Sequence, residues 1–272
     1  MTGARVIRSP ANLRIKAAIA LRDRSEREAR GLTIVDGVRE LGRAVAAGVD
    51  VSEAFVCPGL VDTPAAAALV EALRTAGAPI TEVSEVAFGR LAFGDRAEGV
   101  VGLVAIPASG LDRLYVGPNA LIVVLEGLEK PGNLGAILRS ADGAGADAVI
   151  VADPRTDPYN PNVIRASVGT VFSVPVAVAT ARLAREWLDE RAVKLVAARV
   201  DGVVPYTAVD LRGPTALVLG AEVSGLGEVW TGPDVTSVRV PMHGVADSLN
   251  VSVTAAILLY EARRQRSEGG EP

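Results

Sequence analysis

Residues 121–139 read Leu-Ile-Val-Val-Leu-Glu-Gly-Leu-Glu-Lys-Pro-Gly-Asn-Leu-Gly-Ala-Ile-Leu-Arg. The unbroken apolar run from Leu121 to Leu125 specifies a strand covered on both faces, since a strand with one wet face would alternate polar and apolar residues. Lys130-Pro131-Gly132 then interrupts the chain. Asn133 stands where a helix can start, with a side chain able to accept a hydrogen bond from a free backbone N–H of the first turn. A buried strand feeding a helix is the repeating unit of a parallel α/β sheet.

Downstream the pattern recurs. Apolar runs at 148–151, 194–198, 216–219 and 237–240 alternate with helical periodicity at 133–145, 161–170, 181–190 and 248–264, which specifies a mostly parallel sheet with helices on both faces. Ligands of such sheets sit beyond the carboxyl ends of the strands. Upstream, short strands at 32–35, 54–56, 80–83 and 100–106 with helical patterns at 38–47 and 65–76 describe a smaller α/β unit. Residues 107–119, punctuated by Pro107, Gly110, Gly117 and Pro118, read as a linker. The expected organisation is a front domain at 1–106, a linker at 107–119, a second domain at 120–266 and a disordered tail at 267–272.

Of the 272 residues 49% are hydrophobic, enough for real cores, and no apolar run is long enough to cross a bilayer. The amino terminus has no apolar stretch and cleavage site of the secretory kind, so the expected location is the cytoplasm. A single cysteine, Cys57, excludes an internal disulfide and reads as a small buried hydrophobe near a strand end. One histidine, His243, makes no metal site by itself, and no metal is expected. The net charge of −4 argues against coating nucleic acid by bulk electrostatics. Residues 1–30 are nevertheless basic, with Arg5, Arg8, Arg14, Lys16, Arg22, Arg24, Arg27 and Arg30 against Asp23, Glu26 and Glu28. That end reads either as a nucleic-acid contact or as a solvated helix of mixed charge.

Three loops at strand ends in the second domain concentrate the polar chemistry. The first is 129–139, in which Arg139 lies nearly two helical turns beyond Asn133. The second, 219–227, is Leu-Gly-Ala-Glu-Val-Ser-Gly-Leu-Gly; its glycines permit close backbone approach to a ligand, and it holds a carboxylate at Glu222. The third, 240–253, carries Val240-Pro241-Met242 and then Ser248-Leu249-Asn250-Val251-Ser252, with Ser248 a good helix cap. Each loop alone is compatible with an ordinary turn or helix start. A dinucleotide-type site would need a Gly-rich fingerprint after the first strand of the sheet, whereas Gly143-Ala144-Gly145 ends a helix.

Asn133-x-Gly135-x-x-x-Arg139, Gly220-x-Glu222-x-x-Gly225 and Pro241-Met242 with Ser248-Leu249-Asn250-Val251-Ser252 resemble, in order and spacing, the three motifs of the SpoU/TrmH ribose methyltransferases. The likeness covers about residues 115–265, including Val163 to Thr170. More loosely, Val35-Asp36-Gly37-Val38-Arg39 resembles the Glu-Gly-x-Arg segment of the substrate-binding domain found in front of many such enzymes, with Asp36 in place of the usual Glu. The resemblance implies an α/β protein in which a small L30e-like domain precedes a trefoil-knotted SPOUT domain with a mostly parallel sheet. It also implies a homodimer.

The activity implied is transfer of a methyl group from S-adenosyl-L-methionine to a ribose 2′-hydroxyl of RNA. By resemblance, Leu219, Gly220, Val240, Met242 and Leu249 hold the cofactor, largely through backbone atoms, and Asn133, Arg139, Glu222, Ser248 and Asn250 form the catalytic group. Arg165, Arg14, Lys16 and Arg39 are the candidate RNA contacts. Arg139 is the position proposed in the family to take the 2′-hydroxyl proton. An arginine keeps its proton below about pH 12 and anionic RNA strengthens its hold, so orientation of the nucleotide and stabilisation of charge on oxygen suit it better. The similarity is greatest to members acting on large-subunit ribosomal RNA, antibiotic-resistance enzymes among them. A transfer-RNA target, a non-catalytic RNA-binding protein and a small-molecule enzyme of doubly wound fold are the alternatives.

Overall fold

The computed structural model describes residues 6–93 and 97–268. Arg5 and the last four residues of the expected tail lie outside them, while Ser267 and Glu268 continue the terminal helix. The chain divides into two compact units, one formed by residues up to Pro107 together with Tyr159–Ser173, the other by Ala108–Pro158 and the residues from Val174 onward.

The first unit is built on a four-stranded sheet. Strands β1 (Leu32–Asp36), β2 (Val51–Val56), β3 (Ile80–Glu82) and β4 (Val100–Ala105) take the order β1-β4-β2-β3, with β4 antiparallel to both neighbours and β2 parallel to β3. Helices α1 (Leu13–Ala20), α2 (Arg24–Arg30), α3 (Val38–Ala46), α4 (Pro64–Thr75) and α5 (Glu85–Leu91) accompany it. Ile15, Leu21, Ile34, Phe55, Phe88 and Leu91 fill the core, and Cys57 packs there just past the end of β2 as a buried thiol.

The segment 159–173, expected within the second domain, packs in this unit. The buried Thr33 hydroxyl on β1 donates to the Tyr159 carbonyl at 2.7 Å, and Arg43 Nη1 on α3 donates to the Val168 carbonyl at 2.6 Å. A Cβ on Gly169 would meet the Glu40 Cα at 2.9 Å, so the contact with α3 requires glycine there. The helix inside this segment, α7 (Pro161–Ala166), stops four residues before the expected end. Val168 at φ 51° and Gly169 at φ 83° turn the chain out of helical geometry.

The second unit is a seven-stranded sheet in the order β7-β6-β5-β10-β8-β11-β9, parallel at every pairing: β5 (Leu121–Glu126), β6 (Ala148–Ala152), β7 (Val176–Ala179), β8 (Lys194–Ala198), β9 (Val204–Pro205), β10 (Thr215–Leu219) and β11 (Val235–Arg239). Its helices are α6 (Pro131–Ala144), α8 (Ala181–Asp189) and α9 (Val251–Glu268), with α9 packed on α6 and β10. β5, β6 and β10 are buried along their length apart from Glu126, as their continuous apolar runs require. Leu111, Leu114 and Val116 of the expected linker pack into this core beside Trp187 and Trp230. Gly145, left-handed at φ 70°, ends α6. No helix of the described residues is long and apolar enough to cross a membrane.

Candidate active site

The three polar loops leave the carboxyl ends of β5, β10 and β11 in the second unit, and their side chains meet. Pro131 opens α6, and the residue at the helix cap is Lys130, which makes no side-chain cap bond. Asn133 thus lies inside the first turn, correcting the expectation that it caps α6, and its amide is free for longer-range bonds. Its Nδ2 donates to Glu222 Oε1 of the second loop, and its Oδ1 accepts from Asn250 Nδ2 of the third at 3.2 Å. Asn250 Oδ1 in turn accepts from the backbone N–H of Ser252 at 2.8 Å and from its hydroxyl at 2.7 Å. The helix cap is therefore Asn250, two residues past Ser248, which the sequence had suggested. One side-chain chain, Glu222–Asn133–Asn250–Ser252, ties the three loops together.

The second loop is held by backbone geometry. A Cβ on Gly220 would lie 2.3 Å from the Gly225 carbonyl carbon, so the turn closes only around glycine. Gly225, at φ 65°, returns its N–H to the Ala221 carbonyl at 3.0 Å. Glu126, at the end of β5, accepts the Gly227 N–H at 2.7 Å. Sequence reasoning missed Glu126, although its position, a carboxylate closing a fully apolar strand, was a usable signal.

A cavity of about 1020 Å³ opens at these strand ends. Leu219, Gly220, Glu222, Val240, Met242, Ser248, Leu249 and Asn250 all line it, so it gathers every expected catalytic or cofactor residue except Asn133 and Arg139. Asn133 reaches its wall through Glu222 and Asn250. Arg139 does not line it; it is exposed on α6 and makes no hydrogen bond or ion pair among the described residues. Lys130, Arg199, Asp201, Arg239 and Asp247 add charged groups to the wall that sequence reading did not single out. Arg199 Nε bonds Asp201 Oδ1 at 3.0 Å, and that bond holds the Asp201 carboxyl below its usual range. The cavity's size, its walls of close-turned backbone and its mixture of apolar and charged groups suit a nucleoside-sized ligand with a polar tail.

The expected RNA contacts lie in the first unit. Lys16 is exposed, and Arg39 is exposed beside Glu40 at 3.4 Å. Arg14 is committed to Glu53 and, at 2.6 Å, to the Thr81 hydroxyl. Arg165 donates to the Phe93 carbonyl at 3.1 Å. Much of the basic amino-terminal charge is likewise spent on the fold. Arg22 donates to the Arg90 and Leu91 carbonyls at the end of α5 and lies over the Phe93 ring; Arg27 is buried and donates to the Leu21 and Arg22 carbonyls; Arg30 donates to the Ala17 carbonyl. Burial lowers the Arg22 pKa, and it raises that of Asp36, whose Oδ2 accepts the Phe93 N–H at 2.9 Å.

Residues 120–260 match the SpoU rRNA Methylase family, and residues 12–102 match the MRM3-like substrate binding domain. The chain is 32% identical to the 23S rRNA (uridine(2479)-2′-O)-methyltransferase of Streptomyces viridochromogenes, over 99% of this chain and 98% of that protein. A solved RNA 2′-O ribose methyltransferase superposes with a TM-score of 0.85 at 42% identity, covering 97% of this chain and all of the other. An AdoMet-bound rRNA methyltransferase from Sinorhizobium meliloti gives 0.86 at 29% identity, covering 96% and 97%.

Proposed function

The chain belongs to the SpoU rRNA methylase family, and from that premise we propose that it methylates a ribose 2′-hydroxyl of 23S ribosomal RNA using S-adenosylmethionine. The observation that carries this reading is the Glu222–Asn133–Asn250 connection, which joins all three motif loops at the mouth of one cavity. The cavity is the cofactor site: Leu219, Gly220, Val240, Met242 and Leu249 form its walls, and the Gly220 turn gives a backbone-lined floor. S-adenosylmethionine supplies there a methyl group activated by the adjacent sulfonium. The protein's task is to align the ribose oxygen with that methyl and to accommodate the proton it loses.

Glu222 and Asn133 hold the loops in register, while Ser248 and Asn250 offer hydroxyl and amide groups to the nucleotide. Arg139 orients the nucleotide and stabilises negative charge developing on the 2′-oxygen. The strand order β5-β10-β8-β11 and the return of α9 onto α6 and β10 support the trefoil knot. Exposed Val253 and Tyr260 on α9 support a homodimer built on that helix. The front unit, of L30e-like fold, docks on structured RNA through Lys16 and Arg39, in the cytoplasm where ribosomes are made.

Labelled methyl transfer to ribosomal and transfer RNA tests this reading, with Arg139→Ala beside wild type. The expected result is label in ribosomal RNA that falls by roughly a hundredfold or more in the variant, with the shape of the pH–rate profile retained because the arginine acts as a fixed positive charge. Label in transfer RNA alone overturns the substrate, a near-normal rate removes Arg139 from the reaction, and loss of a limb of the profile would make Arg139 the base instead.

A further inference from the structure

Arg199 follows β8 directly, on the wall of the cavity. Its backbone N–H donates to the Val238 carbonyl at 2.9 Å, and the turn it starts is fixed on β11. A Cβ on Gly202 would meet the Val238 carbonyl carbon at 2.5 Å, and Arg239 Nη1 donates to the Gly202 and Val203 carbonyls at 2.6 and 3.2 Å. Arg199 is thus held by a rigid turn. Its Nε is satisfied by Asp201, and its buried Nη1 has no acceptor although the side chain as a whole is 30% exposed. A buried charged donor without a partner is costly, and folded proteins rarely keep one unless a ligand supplies the acceptor.

We propose that the Arg199–Asp201 pair receives the amino-acid tail of S-adenosylmethionine, its α-carboxylate on Arg199 and its α-ammonium beside Asp201. The proposal rests on the reading of this cavity as the cofactor site. A guanidinium pairs most strongly with a carboxylate, which can accept two parallel N–H bonds, and the α-carboxylate is the one anion the cofactor carries. The other cations on the wall fit less well: Arg239 Nη1 is spent on two backbone carbonyls, and Lys130 stands exposed at the start of α6. Asp201, exposed, on the same wall and ionised through its bond to Arg199, gives the ammonium a matching charge.

The test compares calorimetric affinities of the full chain and its Arg199→Gln variant for ribosomal RNA and for three small ligands. S-adenosylhomocysteine carries the whole tail; 5′-methylthioadenosine lacks it. The expected result is a loss of about tenfold or more for S-adenosylhomocysteine, with 5′-methylthioadenosine unchanged and decarboxylated S-adenosylmethionine bound equally by both proteins. Equal losses for all three ligands would show that Arg199 only supports the cavity wall. Unchanged S-adenosylhomocysteine binding with weakened RNA binding would assign the residue to RNA and overturn the proposal. A wild-type protein that binds none of the three would instead sink the cofactor reading beneath it.

Discussion

Asn250 caps α9 and also donates to Asn133, so a single side chain serves both the fold and the site. Replacement by alanine removes both roles. Asn250→Ala is expected to lower stability by about 1 kcal/mol, the usual worth of a helix cap, and to lower kcat by roughly a hundredfold because the loops lose their mutual register. Urea denaturation beside single-turnover methyl transfer separates the two effects; loss of stability with a normal rate would show that the Asn133–Asn250 bond is dispensable. Identity was easier to read from sequence than role. Glu222, Ser248 and Asn250 were all expected at the site and all line the cavity. That Asn250 and not Ser248 caps the helix depends on where α9 begins, and sequence periodicity does not resolve a helix start to two residues. Arg14 shows the opposite difficulty: a basic residue at the amino terminus gives no sign that Glu53 and Thr81, far along the chain, already hold it.

At the level of elements, the site is made by loops that the buried strands hold in place. Gly220 is the tightest point, because its missing Cβ leaves room for the Gly225 backbone. Gly220→Ala is expected to cost about 1–3 kcal/mol through overpacking and to weaken S-adenosylhomocysteine binding by about tenfold. Gly213→Ala, where an added Cβ meets nothing within 4 Å, serves as the control. Calorimetry decides: equal affinities for the two variants would mean that the turn does not shape the cavity. Strands β5, β6, β8 and β10 were legible because long apolar runs have few other uses. β7 was not, since Val-Ala-Val-Ala is a four-residue edge strand, half-buried and half alanine, with little β-propensity to mark it. α5 was also missed: it has seven residues and contains Gly89, and its one clear mark is the Ser84 cap.

Across the whole molecule, the two units are not consecutive stretches of chain. Tyr159–Ser173 belongs with the first unit although its flanks belong with the second. A division at one linker was the natural reading of the sequence, because Pro154, Pro158 and Pro161 before the segment and Pro175 after it look like ordinary loop punctuation in an α/β chain, and because contacts such as Thr33 with Tyr159 join residues more than a hundred positions apart. Mass spectrometry of nucleosides from 23S RNA incubated with the protein and S-adenosylmethionine tests whether this molecule is a ribose methyltransferase acting on 23S ribosomal RNA. The expected result is a new 2′-O-methylated nucleoside at one position, absent when the protein is omitted. A methyl group carried on a base, or no methylated nucleoside at all, would contradict it.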